Sequence, residues 1–183
     1  MNEHRLPLQR ARFQQRQEKA WREMAAFQMP RYERLPEIEL YMDQLVHFVN
    51  QALAPLSSTD SSEELILTKS MVNNYVKQRV IPPPLKKRYD RRHLAMLLML
   101  CPLKQVLSIP ECVQLMHLAE RENGQTLESS YNAFCASLEN ALARTFGSGE
   151  AAAGQRAVLP RMTQAVADKI YLQKLLDCQG REA

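Results

Sequence analysis

The sequence lacks the motifs on which most enzyme active sites and metal centres are built. It contains no glycine-rich phosphate loop, no paired-histidine metal motif and no nucleophile elbow, and its 4 histidines are far apart. We therefore expect a protein that is not an enzyme and that has no catalytic residues, no metal and no cofactor. The cysteines form no Cys-x-x-Cys pair and lie in apolar helical contexts, so we expect reduced core thiols. They are Cys101, Cys112, Cys135 and Cys178.

Glycines and long apolar runs are also scarce. Only 5 glycines occur among 183 residues, whereas helix-favouring residues such as Ala, Leu, Gln and Glu are plentiful, which predicts a mainly α-helical fold. The longest apolar run, residues 94–103, is too short to cross a bilayer. No apolar signal-peptide core follows the basic N-terminal residues. We therefore expect a cytoplasmic protein without a membrane partner.

Positive charge is concentrated in one part of the chain. Residues 68–104 contain nine Lys and Arg residues and one acid, Asp90, so this segment carries nine minus one, or +8, against +4 for the whole chain. Such a concentration is typical of a nucleic-acid-binding segment. The alternative interpretation is a solvated basic face on an ordinary helical domain.

The first half of the basic segment predicts a helix over 68–79. Thr68 is a suitable N-cap, and Val72 and Tyr75 lie on the apolar side of the helix. Asparagine is a mediocre helix former, so two adjacent asparagines inside a helix suggest a binding role. The alternative is that both are merely exposed polar residues. The other faces carry side chains that can bind phosphate oxygens or base edges, namely Lys69, Ser70, Asn73, Asn74 and Lys77.

The second half predicts a basic wing followed by a core helix. Three prolines at 82–84 end the first helix, and the chain then reverses direction to form the wing. The alternative is that the prolines are only a rigid spacer. Asp90 caps the next helix, which is apolar nearly all round over 94–103 and therefore central. Two arginines in its first turn oppose the helix dipole, which suggests that they serve a partner. The predicted wing and first-turn residues are Lys86, Lys87, Arg88, Tyr89, Arg91 and Arg92.

The N-terminal third predicts two further helices. Residues 1–34 contain eight basic residues and four acids, and their apolar spacing predicts a helix at about 8–27. This helix could pack on the protein through Trp21, fray as chain termini do, or contact phosphate as a basic arm. A second helix is expected to begin at Pro36 and to bury a stripe that starts at Ile38. Residues 35–67 contain six acids and no Lys or Arg, so this helix is not expected to face DNA. A polar linker is expected at 56–64.

The C-terminal part predicts helices that pair with one another or with a second subunit. Leu127, Tyr131, Phe134 and Leu138 repeat at alternating fours and threes along a helix at 126–146, which is a coiled-coil seam. A linker at 147–156 and a last helix at about 160–178 follow. Two alternatives are open, a homodimer contact through 126–146 and 160–178, or an intramolecular hairpin of these two helices.

Several segments occur in a familiar order. They are LPEIELYMDQL at 35–45, TKSMVNNYVK at 68–77, VIPPP at 80–84, KRY at 87–89 and LKQVLS at 103–108. This order resembles an uncharacterised bacterial family, a conserved domain of unknown function, over about residues 31–120. Members of that family look distantly like MerR-type transcription regulators. The MerR resemblance implies a winged helix-turn-helix in which 68–79 is the recognition helix, 86–89 the wing and 90–106 the helix behind it.

Together these observations predict a mainly α-helical protein with a MerR-like winged helix-turn-helix core, an N-terminal helical arm and C-terminal helices. The expected segments are the arm at 1–34, the core domain at 35–124 and a dimerisation or packing region at 125–183. The expected function is a dimeric transcription regulator that reads double-stranded DNA with helix 68–79 and a basic wing at 82–89. The alternative is a helical adaptor whose basic segment binds an acidic protein partner.

Overall fold

The computed structural model describes residues 5–57, 65–123, 126–147 and 158–179. Within these ranges the fold is mainly α-helical, as predicted, with two 3-10 turns at Tyr32–Arg34 and Ala54–Leu56 and two isolated β-bridges. The expected linkers at 56–64 and 147–156 lie almost entirely outside the described residues. The helices are α1 (Arg5–Ala25), α2 (Met42–Leu53), α3 (Lys69–Lys77), α4 (Arg91–Leu103), α5 (Ile109–Asn123), α6 (Leu127–Gly147) and α7 (Val158–Gln179).

Helix α4 is the centre of the fold, as its composition predicts. Its residues Leu94, Leu97 and Leu98 are fully buried, and the helix packs against α2, α5 and α6. Pro102 lies inside its last turn, where proline forfeits one backbone hydrogen bond, and the helix ends one residue later. A helix that is apolar on all sides is stable only when its neighbours cover each face.

Helix α2 begins later than predicted. We expected it to start at Pro36, but it starts at Met42, and Ile38 is 72% exposed rather than buried. Leu40 instead pairs with Tyr89, and the two residues exchange N–H···O hydrogen bonds of 2.8 and 2.9 Å. An extended backbone at Leu40 satisfies its donor and acceptor through this bridge. The helical spacing of the apolar residues therefore extends several residues beyond the helix itself.

Helix α3 forms with the predicted cap and buried face. The hydroxyl of Thr68 accepts a hydrogen bond from the backbone N–H of Met71 at 3.2 Å, and Val72 and Tyr75 are buried. The helix ends at Lys77, two residues earlier than expected, because Arg79 adopts a left-handed φ of 59°. The N–H of Val80 then closes the turn on the carbonyl of Tyr75 at 2.8 Å.

The N-terminal arm docks onto the C-terminal helices. Helix α1 packs against α6, Trp21 is partly covered, and Phe27 beyond the helix is buried. Arg31 forms a two-bond ion pair with Glu139 of α6, with N–O distances of 2.7 and 2.6 Å. The division into three segments stays a prediction, and the contacts between α1 and α6 and between α4 and α6 connect all three.

The seam of α6 is covered within the chain, but by helices that the sequence did not indicate. Tyr131 is fully buried, and Phe134 and Leu138 pack on the core, where α6 contacts α1, α4 and α5. Helix α7 packs against α5 instead. The hairpin of α6 with α7, one of the two alternatives, is therefore not the main packing of these helices. The apolar stripe of α6 is filled from sequence-distant helices, while the homodimer alternative stays a prediction.

Three of the four cysteines are core thiols, as expected. Cys101, Cys112 and Cys135 are buried and free, and burial raises the pKa of the Cys101 thiol to about 12, so it stays protonated. Cys178 is exposed, which corrects the prediction that it belongs to the core. The reason is that α7 buries little of its surface, because it lies on the outside of α5.

Candidate nucleic-acid interface

The predicted basic wing takes the form of a tight β-turn. Leu85 and Arg88 form an antiparallel bridge, and the N–H of Arg88 donates to the carbonyl of Leu85 at 2.9 Å. The two residues between them, Lys86 and Lys87, both have left-handed φ angles, 49° and 62°. This is a type I′ hairpin turn, which Asn-Gly favours and which costs other residues roughly 1–2 kcal/mol each. The turn therefore presents two exposed lysines in a conformation that lysine disfavours.

The base of this hairpin is anchored in the core. Tyr89 is 4% exposed, and its ring packs edge-on against His93 at a centroid distance of 5.3 Å. The nitrogens of the His93 ring lie 2.6 Å from a carboxylate oxygen of Asp90 and 3.1 Å from the carbonyl of Pro82. Both rings therefore hold the hairpin against the start of α4. Tyr89 is thus not an exposed contact residue, which corrects its place among the predicted contact residues of the wing.

Asp90 acts as the expected N-cap of α4. Burial opposes the ionisation of its carboxyl group, but the hydrogen bonds it accepts from the backbone N–H and the ring of His93 outweigh that effect and lower the pKa of Asp90. Its carboxylate is therefore held by the fold. The one acid of the basic segment is engaged within the protein.

The outer face of α3 carries the polar residues that the sequence analysis selected. Ser70, Asn73, Asn74 and Lys77 are all exposed, and no hydrogen bond or ion pair within the described ranges engages their side chains. Lys69, at the start of the helix, forms an ion pair with Asp43 of α2. Four of the five predicted contact residues of α3 are therefore free for a partner.

The first turn of α2 contacts both predicted binding elements. Asp43 holds Lys69 of α3, and two residues earlier Tyr41 holds Arg88 of the hairpin. The guanidinium of Arg88 donates to the Tyr41 hydroxyl at 3.0 Å, and its carbon lies 4.9 Å from the ring centroid. The start of α3 and the hairpin therefore lie on either side of one helical turn, and together they form the surface that we call the basic face.

The two arginines at the start of α4 behave differently from each other. Arg91 is largely covered, lies over the ring of Tyr32 at 5.5 Å and forms an ion pair with Glu37 at 3.3 Å. Arg92 is exposed and forms no ion pair with any described residue. Arg91 thus fastens the extended segment before α2, and of this pair only Arg92 is free for a partner.

Sequence reasoning missed several residues of the basic face. Tyr41 and Asp43 were assigned to an acidic helix away from DNA, yet both touch predicted contact residues. Arg79 is exposed in the turn that ends α3 and adds one more cation. Its charge was visible in the sequence. The contact of Tyr41 with Arg88 lies next to the bridge between Leu40 and Tyr89, for which the sequence gives no local signal.

Two classes of site are not found in the part of the chain that the structure describes. No group of three or more His, Cys, Asp or Glu residues there is arranged to hold a metal ion. None of the helices in those ranges is both long and apolar enough to cross a membrane.

The elements define a helical domain in which a short helix and a tight basic turn flank the start of a third helix. The chain belongs to the family described as "Domain of unknown function (DUF1836)", whose model matches residues 30–134. This match begins between Met29 and Arg31, which both hydrogen-bond to Glu139 of α6, and it ends within α6. Neither a curated protein nor a solved structure matches the chain. The onward likeness to MerR regulators has no support from these comparisons.

Proposed function

We propose that the chain is a DNA-binding transcription regulator that acts as a dimer. In this proposal α3 enters the major groove, the basic turn at 85–88 holds the phosphate backbone, and the two elements form a MerR-like winged helix-turn-helix. The observation that supports it most directly is the position of both elements beside the first turn of α2, where Asp43 touches Lys69 and Tyr41 touches Arg88. Such a pair of neighbouring elements can contact a groove and its flanking phosphates together.

The unpaired charge on the basic face supports the same function. Within residues 68–104, the exposed cations that form no ion pair with a described residue are Lys77, Arg79, Lys86, Lys87, Arg88 and Arg92. Each phosphate that such a cation neutralises adds about −0.9 to the slope of log affinity against log salt. Engagement of three to five of them therefore predicts a slope of roughly −3 to −4.5 per subunit.

The asparagines of α3 supply the candidate base readout. Asn73 and Asn74 are exposed on the outer face of the helix, and asparagine can form paired hydrogen bonds with the N6 and N7 positions of adenine. Lysine contacts position a protein on DNA, whereas base contacts discriminate between sequences. We therefore assign sequence preference to these two residues and general affinity to the hairpin lysines.

The dimer in this proposal forms through α7. Its exposed residues Leu159, Met162, Val166 and Ile170 recur at spacings of three and four, and each is at least 50% exposed. A row of large apolar side chains left open to water at helical spacing is typical of a helix that pairs with another helix. Two subunits joined this way would present two copies of α3 to a palindromic site.

The direct test is fluorescence anisotropy of a labelled random-sequence duplex titrated with the protein at a series of salt concentrations. We expect binding whose slope of log affinity against log salt is about −3 or steeper. A variant that replaces Lys86 and Lys87 with alanine should bind more weakly, whereas Lys174→Ala on α7 should leave binding unchanged. An absence of binding at low salt contradicts the proposal.

The second candidate function is an adaptor that binds an acidic protein segment. It is favoured by the ion pairs of Lys69 with Asp43 and of Arg91 with Glu37, in which carboxylates already pair with two cations of the basic segment. The two functions are separated by competition between labelled duplex DNA and poly-glutamate at equal charge concentration. Preference for the duplex supports the regulator, and preference for poly-glutamate supports the adaptor.

A further inference from the structure

The basic hairpin carries an apolar side chain at the start of its turn. Leu85, directly before the two lysines of the tip, is 69% exposed. The three prolines at 82–84 that precede it have fixed φ angles, so they lead into the turn as a stiff segment. A single exposed leucine is ordinary on a protein surface, and its meaning therefore depends on what surrounds it.

Leu85 belongs to a group of exposed apolar residues at the base of the hairpin. Ile38 and Tyr41 are exposed as well, and they flank Leu40, whose backbone pairs with Tyr89 at the end of the hairpin. Five large apolar residues outside α7 are exposed in the described ranges, and three of them lie in this group. Exposed apolar surface that is concentrated in one place is typical of an interaction site.

The hairpin holds Leu85 on a rigid base. Leu85 and Arg88 form an antiparallel bridge, so their side chains are neighbours on one face of the hairpin. The guanidinium of Arg88 is engaged by Tyr41, through a hydrogen bond of 3.0 Å and a distance of 4.9 Å to the ring centroid. The neighbour of Leu85 is therefore fixed to the first turn of α2, while Leu85 itself stays open to solvent.

Cations surround this apolar side chain. Lys86 and Lys87 follow it, Arg88 lies opposite it, and all three are exposed. An apolar residue between cations suits a partner that presents phosphates next to an apolar interior. Duplex DNA has this arrangement, and proteins that bind its minor groove often insert a leucine or a similar side chain between two base steps.

An anionic membrane surface also combines phosphate with apolar material. The outer face of α3 distinguishes the two partners, because its exposed residues Asn73 and Asn74 can form paired hydrogen bonds with base edges. A lipid surface offers no base edges to these asparagines. The surroundings of Leu85 therefore favour DNA.

We propose that Leu85 is a wedge that enters the minor groove and opens one base step when the hairpin binds DNA. This inference rests on the proposed DNA-binding function. The lysines of the tip hold the adjacent phosphates, and the wedge kinks the duplex. Pyrimidine–purine steps such as TA are the easiest to unstack, so the wedge adds a preference for such a step beside the bases that α3 reads.

The test uses the full chain and a duplex with several TA steps that carries a donor dye at one end and an acceptor dye at the other. The anisotropy of one dye measures binding, and energy transfer between the two dyes measures bending. The parent protein should bend this duplex by at least about 20°, which raises the energy transfer. A duplex of equal length in which A-tracts replace the TA steps should bend less at saturation, because A-tracts are stiff.

Three variants assign the bend to one side chain. Leu85→Ala should lose the bend but keep the salt slope of binding, because no cation changes. Leu85→Met keeps a side chain that can act as a wedge and should retain the bend. Val106→Ala shortens another apolar residue, 55% exposed and outside the basic segment, and should behave as the parent protein. All three should keep the circular dichroism spectrum of the parent, since they change exposed side chains.

The two readouts separate failure of the wedge from failure of DNA binding. An anisotropy that does not change at low salt overturns the proposed function and the wedge with it. Binding without bending, or a bend that Leu85→Ala retains, overturns the wedge alone. Sedimentation with phosphatidylserine vesicles that Leu85→Ala abolishes, together with unbent DNA, would overturn the wedge and assign the apolar group to a membrane surface.

Discussion

Leu40 and Tyr89 exchange two backbone hydrogen bonds, of 2.8 and 2.9 Å, and this bridge fixes the basic hairpin beside the first turn of α2. The bridge joins residues that are far apart in the sequence, and Arg88 and Tyr41 lie directly next to it. The hairpin is therefore held by the core on one side while its tip, Lys86 and Lys87, stays exposed. A rigid base with a free cationic tip suits contact with a phosphate backbone.

The turn residues should show opposite effects on stability and binding. Replacing Lys86 with Asn and Lys87 with Gly supplies the residues that a type I′ turn favours, and should raise the free energy of unfolding by roughly 1–2 kcal/mol. The same change removes two cations, so the salt slope of DNA binding should become shallower by almost 2 units. Chemical denaturation and anisotropy titration measure the two effects.

The matched control replaces both lysines with arginine, which keeps the charge and the strained backbone. It should leave stability and DNA binding close to those of the parent protein. A loss of stability in the Asn-Gly variant would show that the turn geometry is wrong. A salt slope that does not change would remove the tip from the DNA contact.

The asparagines of α3 should affect sequence preference rather than general affinity. Asn73→Ala or Asn74→Ala should relax the preference at one base position, at a cost of about 1–3 kcal/mol for the preferred sequence, and leave affinity for random DNA unchanged. Lys86→Ala and Arg88→Ala should weaken binding to all sequences. Affinities for the preferred and the scrambled duplex measure the difference. If all four variants behave alike, α3 does not read bases.

The ion pair of Arg31 with Glu139, which joins the N-terminal segment to α6, should contribute measurably to the free energy of unfolding. The hydrogen bonds from Arg31 lower the pKa of Glu139, which also accepts from the N–H of Met29 at 2.8 Å. Glu139→Gln should reduce the free energy of unfolding by about 2 kcal/mol, less than for a fully buried pair because the Arg31 side chain is 37% exposed. Urea denaturation measures this change. The control Glu23→Gln, in an exposed ion pair of α1, should cost less than about 0.5 kcal/mol.

The same ion pair of Arg31 with Glu139 makes the stability of the protein depend on pH. Because the folded-state pKa of Glu139 is depressed, its stabilising contribution is present above the unfolded pKa of about 4.3 and is lost as pH falls through the folded value. The parent protein should therefore lose more stability than Glu139→Gln between pH 5 and the acid limit of folding. Parallel curves for the two proteins would contradict the assigned role of this carboxylate.

The apolar row of α7 should control oligomeric state. Val166→Glu places a charge in the row and should convert the proposed dimer to a monomer, which analytical ultracentrifugation detects. The monomer should then lose the steep affinity for a palindromic duplex and keep its affinity for a half-site. Gln164→Glu, on the opposite side of the helix, adds the same charge and should stay dimeric. A parent protein that is monomeric at high concentration contradicts this part of the proposal.

The sequence predicts the local features of the fold well. The cap at Thr68, the cap at Asp90 and the all-round apolar face of α4 are patterns of neighbouring residues, and each forms as expected. Such features depend on backbone and side-chain groups within a turn of one another. The tight return of the chain at 85–88 also forms where the basic wing was expected.

The sequence does not predict the contacts between distant segments. The start of α2 was misplaced because the apolar spacing continues through Ile38, whereas Leu40 is held by a bridge to Tyr89. The sequence did not identify α1, α4 and α5 as partners of the α6 seam, because an apolar stripe specifies burial but not the helix that covers it. Tyr89 was selected for its position beside three cations, and only the folded core shows that its ring faces inward.

The central claim is that this domain reads DNA, and selection of bound duplexes from a random library at two salt concentrations, followed by sequencing, tests it most directly. The account predicts an enriched palindromic motif whose recovery falls steeply as salt rises, and loss of one motif position in Asn73→Ala or Asn74→Ala. Salt-sensitive recovery without any motif would contradict base reading by α3. No recovery at the lower salt concentration would contradict DNA binding altogether.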